Sequence, residues 1–301
     1  MNNKIVSITK NSAIFLAAIL IAGTIALSST SFMTASTAQA QPYYDGMDKR
    51  YNSYQPDYPP EYKDSNSYNS YVPEYGMDSY KKPEIFPANK VAELGDRWWQ
   101  WAFELDRTAE NNPFTNLEQA GCDVGLQDNG KLLFLVGTNK DFTTYPDNGF
   151  PVHECKVKKG TAILFPIVNV ACNNLEVGTP FFGEDEEEQR ICANNLIDKF
   201  IPNSLHVNID GKEIKNPEQY RIDSPAGGFE FTAVENNPFF TPPGDGIGVS
   251  DGFWILLEHL KPGLHTIEFS GSLDLRDLPE PFNVIFEAGA TYNLDVIPKY
   301  Y

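Results

Sequence analysis

Phe253-Trp254-Ile255-Leu256-Leu257, then Pro262-Gly263, then His265-Thr266-Ile267-Glu268-Phe269 is the stretch on which the fold turns. Branched and aromatic side chains fill both runs, and Pro-Gly is a turn signal, so the stretch predicts a long antiparallel hairpin. Working outward, the same signature returns. Leu132-Leu133-Phe134-Leu135-Val136 and Ala162-Ile163-Leu164-Phe165-Pro166-Ile167-Val168 are apolar on both faces, as strands covered from both sides are. Pro166 lacks the N–H that a central ladder needs, so this run should bulge there or lie at an edge. Leu205, Val207 and Ile209 alternate with polar neighbours up to the hairpin signal Asp210-Gly211. Phe229/Phe231 and Ala290/Tyr292/Leu294/Val296 alternate in the same way. Many short strands punctuated by turns predict a mainly β fold, a two-layer antiparallel β-sandwich.

Two helices interrupt the strand pattern. An N-terminal amphipathic helix is expected near residues 90–105, with Val91, Leu94, Trp98, Trp101, Ala102 and Leu105 on its apolar stripe. Glu93, Asp96, Arg97 and Gln100 take the opposite face, and Trp99 falls off the stripe. Trp98 and Trp101 are expected to close one end of the core. A second short helix spans Glu184 to Phe200, with Ile191, Leu196, Ile197 and Phe200 inward. Its start, Glu184-Asp185-Glu186-Glu187-Glu188, suits the positive end of a helix dipole. The run lacks the interleaved carbonyls and glycine turn of a calcium loop, so no metal site is read from it.

The first 40 residues carry a basic start (Lys4, Lys10), an apolar run from Ala13 to Leu27 and the exit Ala38-Gln39-Ala40. This is the layout of a signal peptide cleaved after Ala40. The competing reading is a retained anchor, since Ala13 to Met33 reaches the about 20 residues a bilayer needs, but Ser28-Ser29-Thr30-Ser31 interrupts it. Residues 41–87 have another composition. Ten of the fifteen tyrosines fall between Tyr43 and Tyr80, and the octet from Tyr51 to Tyr58 recurs from Tyr68 to Tyr75. With prolines and no apolar face, the segment reads as a disordered spacer. The expected organisation is a signal peptide over 1–40, a spacer over 41–87 and a β-sandwich domain over 88–301, in a protein secreted or held at the extracellular cell surface.

Cys122, Cys155, Cys172 and Cys192 all belong to the last of these, and an even count in an exported chain reads as two disulfides. Three pairings are open; Cys122–Cys155 and Cys172–Cys192 are favoured because each brackets one supersecondary unit. No CxxC pair supports a zinc or redox site. The net charge of −18 becomes about −20 when Lys4 and Lys10 leave with the signal peptide, a field that repels nucleic acid and anionic membrane. The expected partners are cell-surface or extracellular components, with no nucleic acid and no membrane insertion after cleavage.

Trp98-Trp99-Gln100-Trp101-Ala102, Cys122 with Gly125, Gly160 to Asn169, Tyr220 to Pro225 and Pro262 to Ile267 together resemble a family of exported microbial β-rich proteins of uncharacterised activity. The resemblance covers most of residues 91–297. The tyrosine-rich segment is similar to leaders of secreted archaeal surface proteins. This resemblance implies an exported β-rich fold and brings no catalytic residue or cofactor with it.

Chemistry-bearing candidates are few. Gly248-Val249-Ser250-Asp251-Gly252 fits the nucleophile-elbow pattern, which works only where a strand turns sharply into a helix. Here Pro242-Pro243-Gly244-Asp245-Gly246 precedes it, so Ser250 reads as a loop serine before a strand. Of the four histidines, His265 reads as a core or turn residue and His206 points outward. A cupredoxin-type copper site needs two His, a free Cys and often a Met, yet every Met lies at position 77 or earlier. No catalytic residue, metal site or cofactor is assigned. Trp99, Phe239 and Phe240 are the candidate ligand contacts, the last two in a loop of turn formers. The expected function is a non-enzymatic, disulfide-stabilised domain in cell-surface interaction or matrix association. The alternative is a β-sandwich binding carbohydrate or a small ligand, and a serine hydrolase using Ser250 comes third.

Overall fold

The structure, a computed structural model, describes residues 88–298 apart from Phe142, Thr143, Pro146, Asn148 and His259. The expected signal peptide and spacer lie outside the described residues. In chain order the elements are α1 (Ala88–Phe103), α2 (Gln119–Gly125), β1 (Leu126–Gln127), β2 (Leu132–Phe134), β3 (Thr138–Asn139), β4 (Val152–Lys158) and β5 (Ala162–Asn173). There follow α3 (Glu186–Ile197), β6 (His206–Ile209), β7 (Lys212–Glu213), β8 (Arg221–Asp223), β9 (Phe229–Ala233), β10 (Gly244–Leu257), β11 (Gly263–Asp274) and β12 (Ile285–Ile297).

The strands form two sheets packed as a sandwich. The first runs β1-β2-β5-β10, with β9 and β8 dividing the far edge of β10 between them. The second runs β3-β12-β11-β6-β7, with β4 beside the C-terminal half of β12. Pairing is antiparallel except where β2 meets β5 and β4 meets β12. Between the sheets lies the larger core, in which Phe165 stacks on Phe269 at 4.7 Å and α3 contributes Ala193, Leu196 and Ile197. A second core fills the opposite face of the first sheet, under α1: Phe103 stacks on Phe231 at 4.2 Å and Trp98 meets Trp254 edge-on at 5.7 Å. The first sheet is therefore covered on both faces, which is why β2, β5 and most of β10 carry continuous apolar runs.

Pro166 produces a bulge within a central strand. Phe253 pairs with Val168 and Trp254 with Pro166, leaving Ile167 as the extra residue. The insertion shifts the parity of β5. Ile163, Phe165 and Ile167 face the inter-sheet core before it, and Val168, Val170 and Cys172 face the same core after it. Cys172 is thereby aimed at α3, where it bonds Cys192; the other disulfide, Cys122–Cys155, ties α2 to β4. All four cysteines are paired.

Several expectations are corrected. The opening stretch is not a hairpin: β10 pairs with β5, β8 and β9 in the first sheet, whereas β11 pairs with β12 and β6 in the second. The reason lies in burial, since β10 is covered on both faces and β11 on one. The first helix ends at Phe103, before Leu105, and its buried face includes Trp99 and also Asp96, expected on the polar side; Trp98 and Trp101 belong to the second core instead of closing an end of the first. The second helix is confined to Glu186–Ile197 because Asp185 caps it, accepting the Glu188 N–H at 3.0 Å. Ile191 is 55 % exposed, not inward. Gly244 to Gly246 already belong to β10, so Ser250 sits inside a strand. Helix α2 is additional; its glycines give no helical signal, and each is held tightly, Gly121 against Asn116 and Gly125 against Phe134.

Candidate functional site

The three candidate ligand contacts separate. Trp99 is 6 % exposed, with its ring 5.0 Å from Phe239 and 5.5 Å from Phe103. Phe239 in turn meets Phe103 and Phe114, so it plugs the second core from the loop side. Asn237 builds that loop, donating to the Val234 and Thr241 carbonyls and accepting from the Phe239 and Thr241 N–H groups. Phe239 and Phe240 are both half-buried, and the Arg107 guanidinium lies 3.8 Å above the Phe240 ring. Trp99 is thus buried, and Phe239 packs against it while remaining partly exposed.

Ser250 is 2 % exposed and faces α1. Its hydroxyl donates to Asp96 Oδ1 at 3.2 Å and lies 3.2 Å from Ser224 Oγ, while the Ser224 hydroxyl donates to the same Asp96 oxygen at 2.5 Å. Burial pushes the Asp96 carboxyl up to about 6, against the two hydroxyls and Arg190, which lower it. A nucleophile needs a base and access to substrate; this hydroxyl has an acid as its partner and a helix above it. On the other face of β10, Asp251 receives a forked contact from Arg221, which also reaches Asp198. These groups bind α1, α3, β8 and β10 together.

The three described histidines do not converge. His265 bridges Asp210 Oδ2 and the Lys261 carbonyl, each at 2.8 Å, and holds the turn before β11. His206 is exposed. His153 is 1 % exposed and stacked on Tyr292 at 4.3 Å, with Nε2 lacking a partner; burial pushes it down to about 4, partly offset by a hydrogen bond to the Asn116 backbone. Near the Cys172–Cys192 bond, burial pushes Glu176 up to about 7, with the Asn173 amide donating to it. Among the described residues, no group of three or more His, Cys, Asp or Glu is placed to hold a metal ion, and no helix is long and apolar enough to cross a membrane.

The remaining candidate is a groove of about 730 Å³ between the second half of α1 and the first sheet. Arg97, Gln100, Trp101 and Glu104 form one wall, Phe134, Phe231 and Gly246 the floor, and Asn174, Glu230, Thr232, Asp245 and Ile247 the far side. The helical wall follows from spacing: Gln100 and Trp101 lie three and four residues after Arg97 and four and three before Glu104, at the rim of the buried stripe. The site is well fixed. Trp101 donates its indole N–H to the Val124 carbonyl at 3.1 Å, Gln100 donates to the Glu230 carbonyl at 2.8 Å, and Arg97 forks onto Asp128. Across from them, Thr232 donates to Asp245 at 2.8 Å. A half-buried indole amid amides and carboxylates is a surface on which a polyhydroxylated ring can stack and hydrogen-bond. Trp101 was legible as an apolar-stripe residue, and the groove's polar members as the solvent side of α1 and β9; their meeting was not. No family model, curated protein or solved structure matches the chain.

Proposed function

We propose that the protein is an exported, non-enzymatic association domain that holds an extracellular glycan, on a cell surface or in a matrix, through the groove beside α1. The observation that carries the reading is the groove itself, with Trp101 anchored at its wall among polar side chains. Two paired disulfides favour a chain that works in an oxidising compartment. The buried, acid-bonded hydroxyl of Ser250 favours binding over hydrolysis. The carbohydrate contact is thus placed on Trp101 instead of on Trp99, which is buried, and Phe239, whose ring packs among Trp99, Phe103 and Phe114.

A glycan array tests this. Saturable binding is expected, and Trp101→Ala should weaken it several-fold, up to about tenfold, the reach of a lost stacking contact. Glu104→Lys, at an exposed position on the same wall, should weaken it with an unchanged melting temperature. Binding that survives both substitutions, or an array with no bound glycan, would overturn the reading.

A further inference from the structure

We infer that Asp96 is a proton-operated latch for α1: with the carboxyl neutral the helix is held on the first sheet, and ionisation loosens the helix together with the groove wall it carries. The consequence for binding rests on the groove reading above; the latch itself does not.

Asp96 is 7 % exposed and lies on the sheet-facing side of α1. Its two hydrogen-bond donors, Ser224 and Ser250, are neutral hydroxyls, which serve a protonated carboxyl or a carboxylate. Neither supplies charge, so ionisation must bear the cost of desolvation without a direct ion pair. Arg190 is the cation that acts on Asp96, but its guanidinium is occupied by Glu186 and Asp223, each at 2.8 Å, and by the Ser224 and Pro225 carbonyls. Asp223 repels Asp96 in turn. Asp251, one residue from Ser250, faces the opposite side of β10 and is neutralised by Arg221. On α1, Glu93 is exposed and Arg97 pairs with Asp128. From β9, Glu230 turns outward into the groove.

Burial prevails, and the carboxyl titrates near about 6 when the helix is docked, against 3.8 when it is not. A raised value in the docked state stabilises docking fully below 3.8 and loses that stabilisation as pH rises through 6. The residue after Asp96 begins the groove wall, so Arg97, Gln100, Trp101 and Glu104 follow the helix. Acid therefore favours an intact groove.

All four tryptophans, Trp98, Trp99, Trp101 and Trp254, pack in the seam under α1, so intrinsic fluorescence reports on it. The test follows tryptophan emission and hydrogen exchange of α1 in the full chain between pH 5 and pH 8. The opening equilibrium of α1, corrected for intrinsic exchange, should rise about tenfold over that range. Asp96→Asn, which keeps the hydrogen bonds and cannot ionise, should flatten it; Ser250→Ala, which removes a hydroxyl that favours the carboxylate, should steepen it. A carbon-detected titration of the wild-type Asp96 carboxyl gives a reading that needs no variant. A midpoint at the ordinary carboxylate value, or an unchanged slope in Asp96→Asn, would overturn the latch. A blank glycan array with the slope present would overturn the groove reading alone.

Discussion

His153 lies flat against Tyr292 at the end of the inter-sheet core, and its protonation limits the domain on the acid side. Its ordinary value is 6.5 and burial takes it to about 4, so the folded state prefers the neutral ring. The sign follows: the stabilisation is present above 6.5 and is lost as pH falls through 4, about 3 kcal/mol in all. Asp96 acts in the opposite sense, which lets a single substitution separate the two. His153→Phe keeps a ring against Tyr292 and removes the ionisation. Acid unfolding of that variant should move to lower pH, and an unmoved midpoint would show that His153 is not the group that titrates. At this scale the sequence was readable where a side chain had one role and misleading where glycine had two. Ser250 looked like a loop serine because of its glycine neighbours, yet Gly252 is required by contact: a Cβ there would lie 2.6 Å from that of Asn169. Composition does not distinguish a glycine that turns the chain from one that lets strands approach. Trp99 was displaced from the stripe by strict helical spacing, whereas the loop carrying Phe239 widens the buried face enough to enclose it.

Helix α2 has seven residues, well short of the about 12–15 at which an isolated helix becomes even marginal, so its order depends on what it is attached to. The Cys122–Cys155 bond supplies one attachment, and the Gln119 side chain a second, accepting the Lys156 N–H at 2.6 Å. Replacing both Cys122 and Cys155 by Ala should cost about 3–4 kcal/mol and abolish exchange protection in α2 while the sheets stay folded. Protection retained in α2 would mean that packing alone orders it. Strands covered on one face and strands covered on both were correctly separated by pattern, and Pro166 correctly announced a bulge. Connectivity was not, because Pro-Gly marks a change of direction and says nothing about which strand comes next. The difference between β10 and β11 was nevertheless written in the burial pattern: two-sided and one-sided strands belong to different environments, so a turn between them is a candidate crossover.

Across the whole molecule, the sandwich was legible because alternation recurs in several separated strands, and the layer added by α1 was legible only as an amphipathic helix in need of a surface. The groove was illegible, since it arises where residues near 100, 174, 230 and 246 meet. Together the two described cores draw on residues from Val91 to Val296. A chain beginning at residue 84 should therefore melt within a few degrees of the full chain by calorimetry, and a larger drop would place earlier residues against the domain. The position of β12 carries a consequence in time. It is the last strand among the described residues and a central one, flanked by β11 on one side and by β3 and β4 on the other. Glu154 and its hydrogen-bonded neighbour Asn293 are 139 residues apart. During synthesis β3 and β4 emerge well before β12 and wait, unpaired, for it, so the second sheet closes only after β12 has emerged. Cys122 and Cys155 are both available long before that moment. Their bond can hold β4 against α2 through the interval, making it a folding aid before it is a feature of the finished protein.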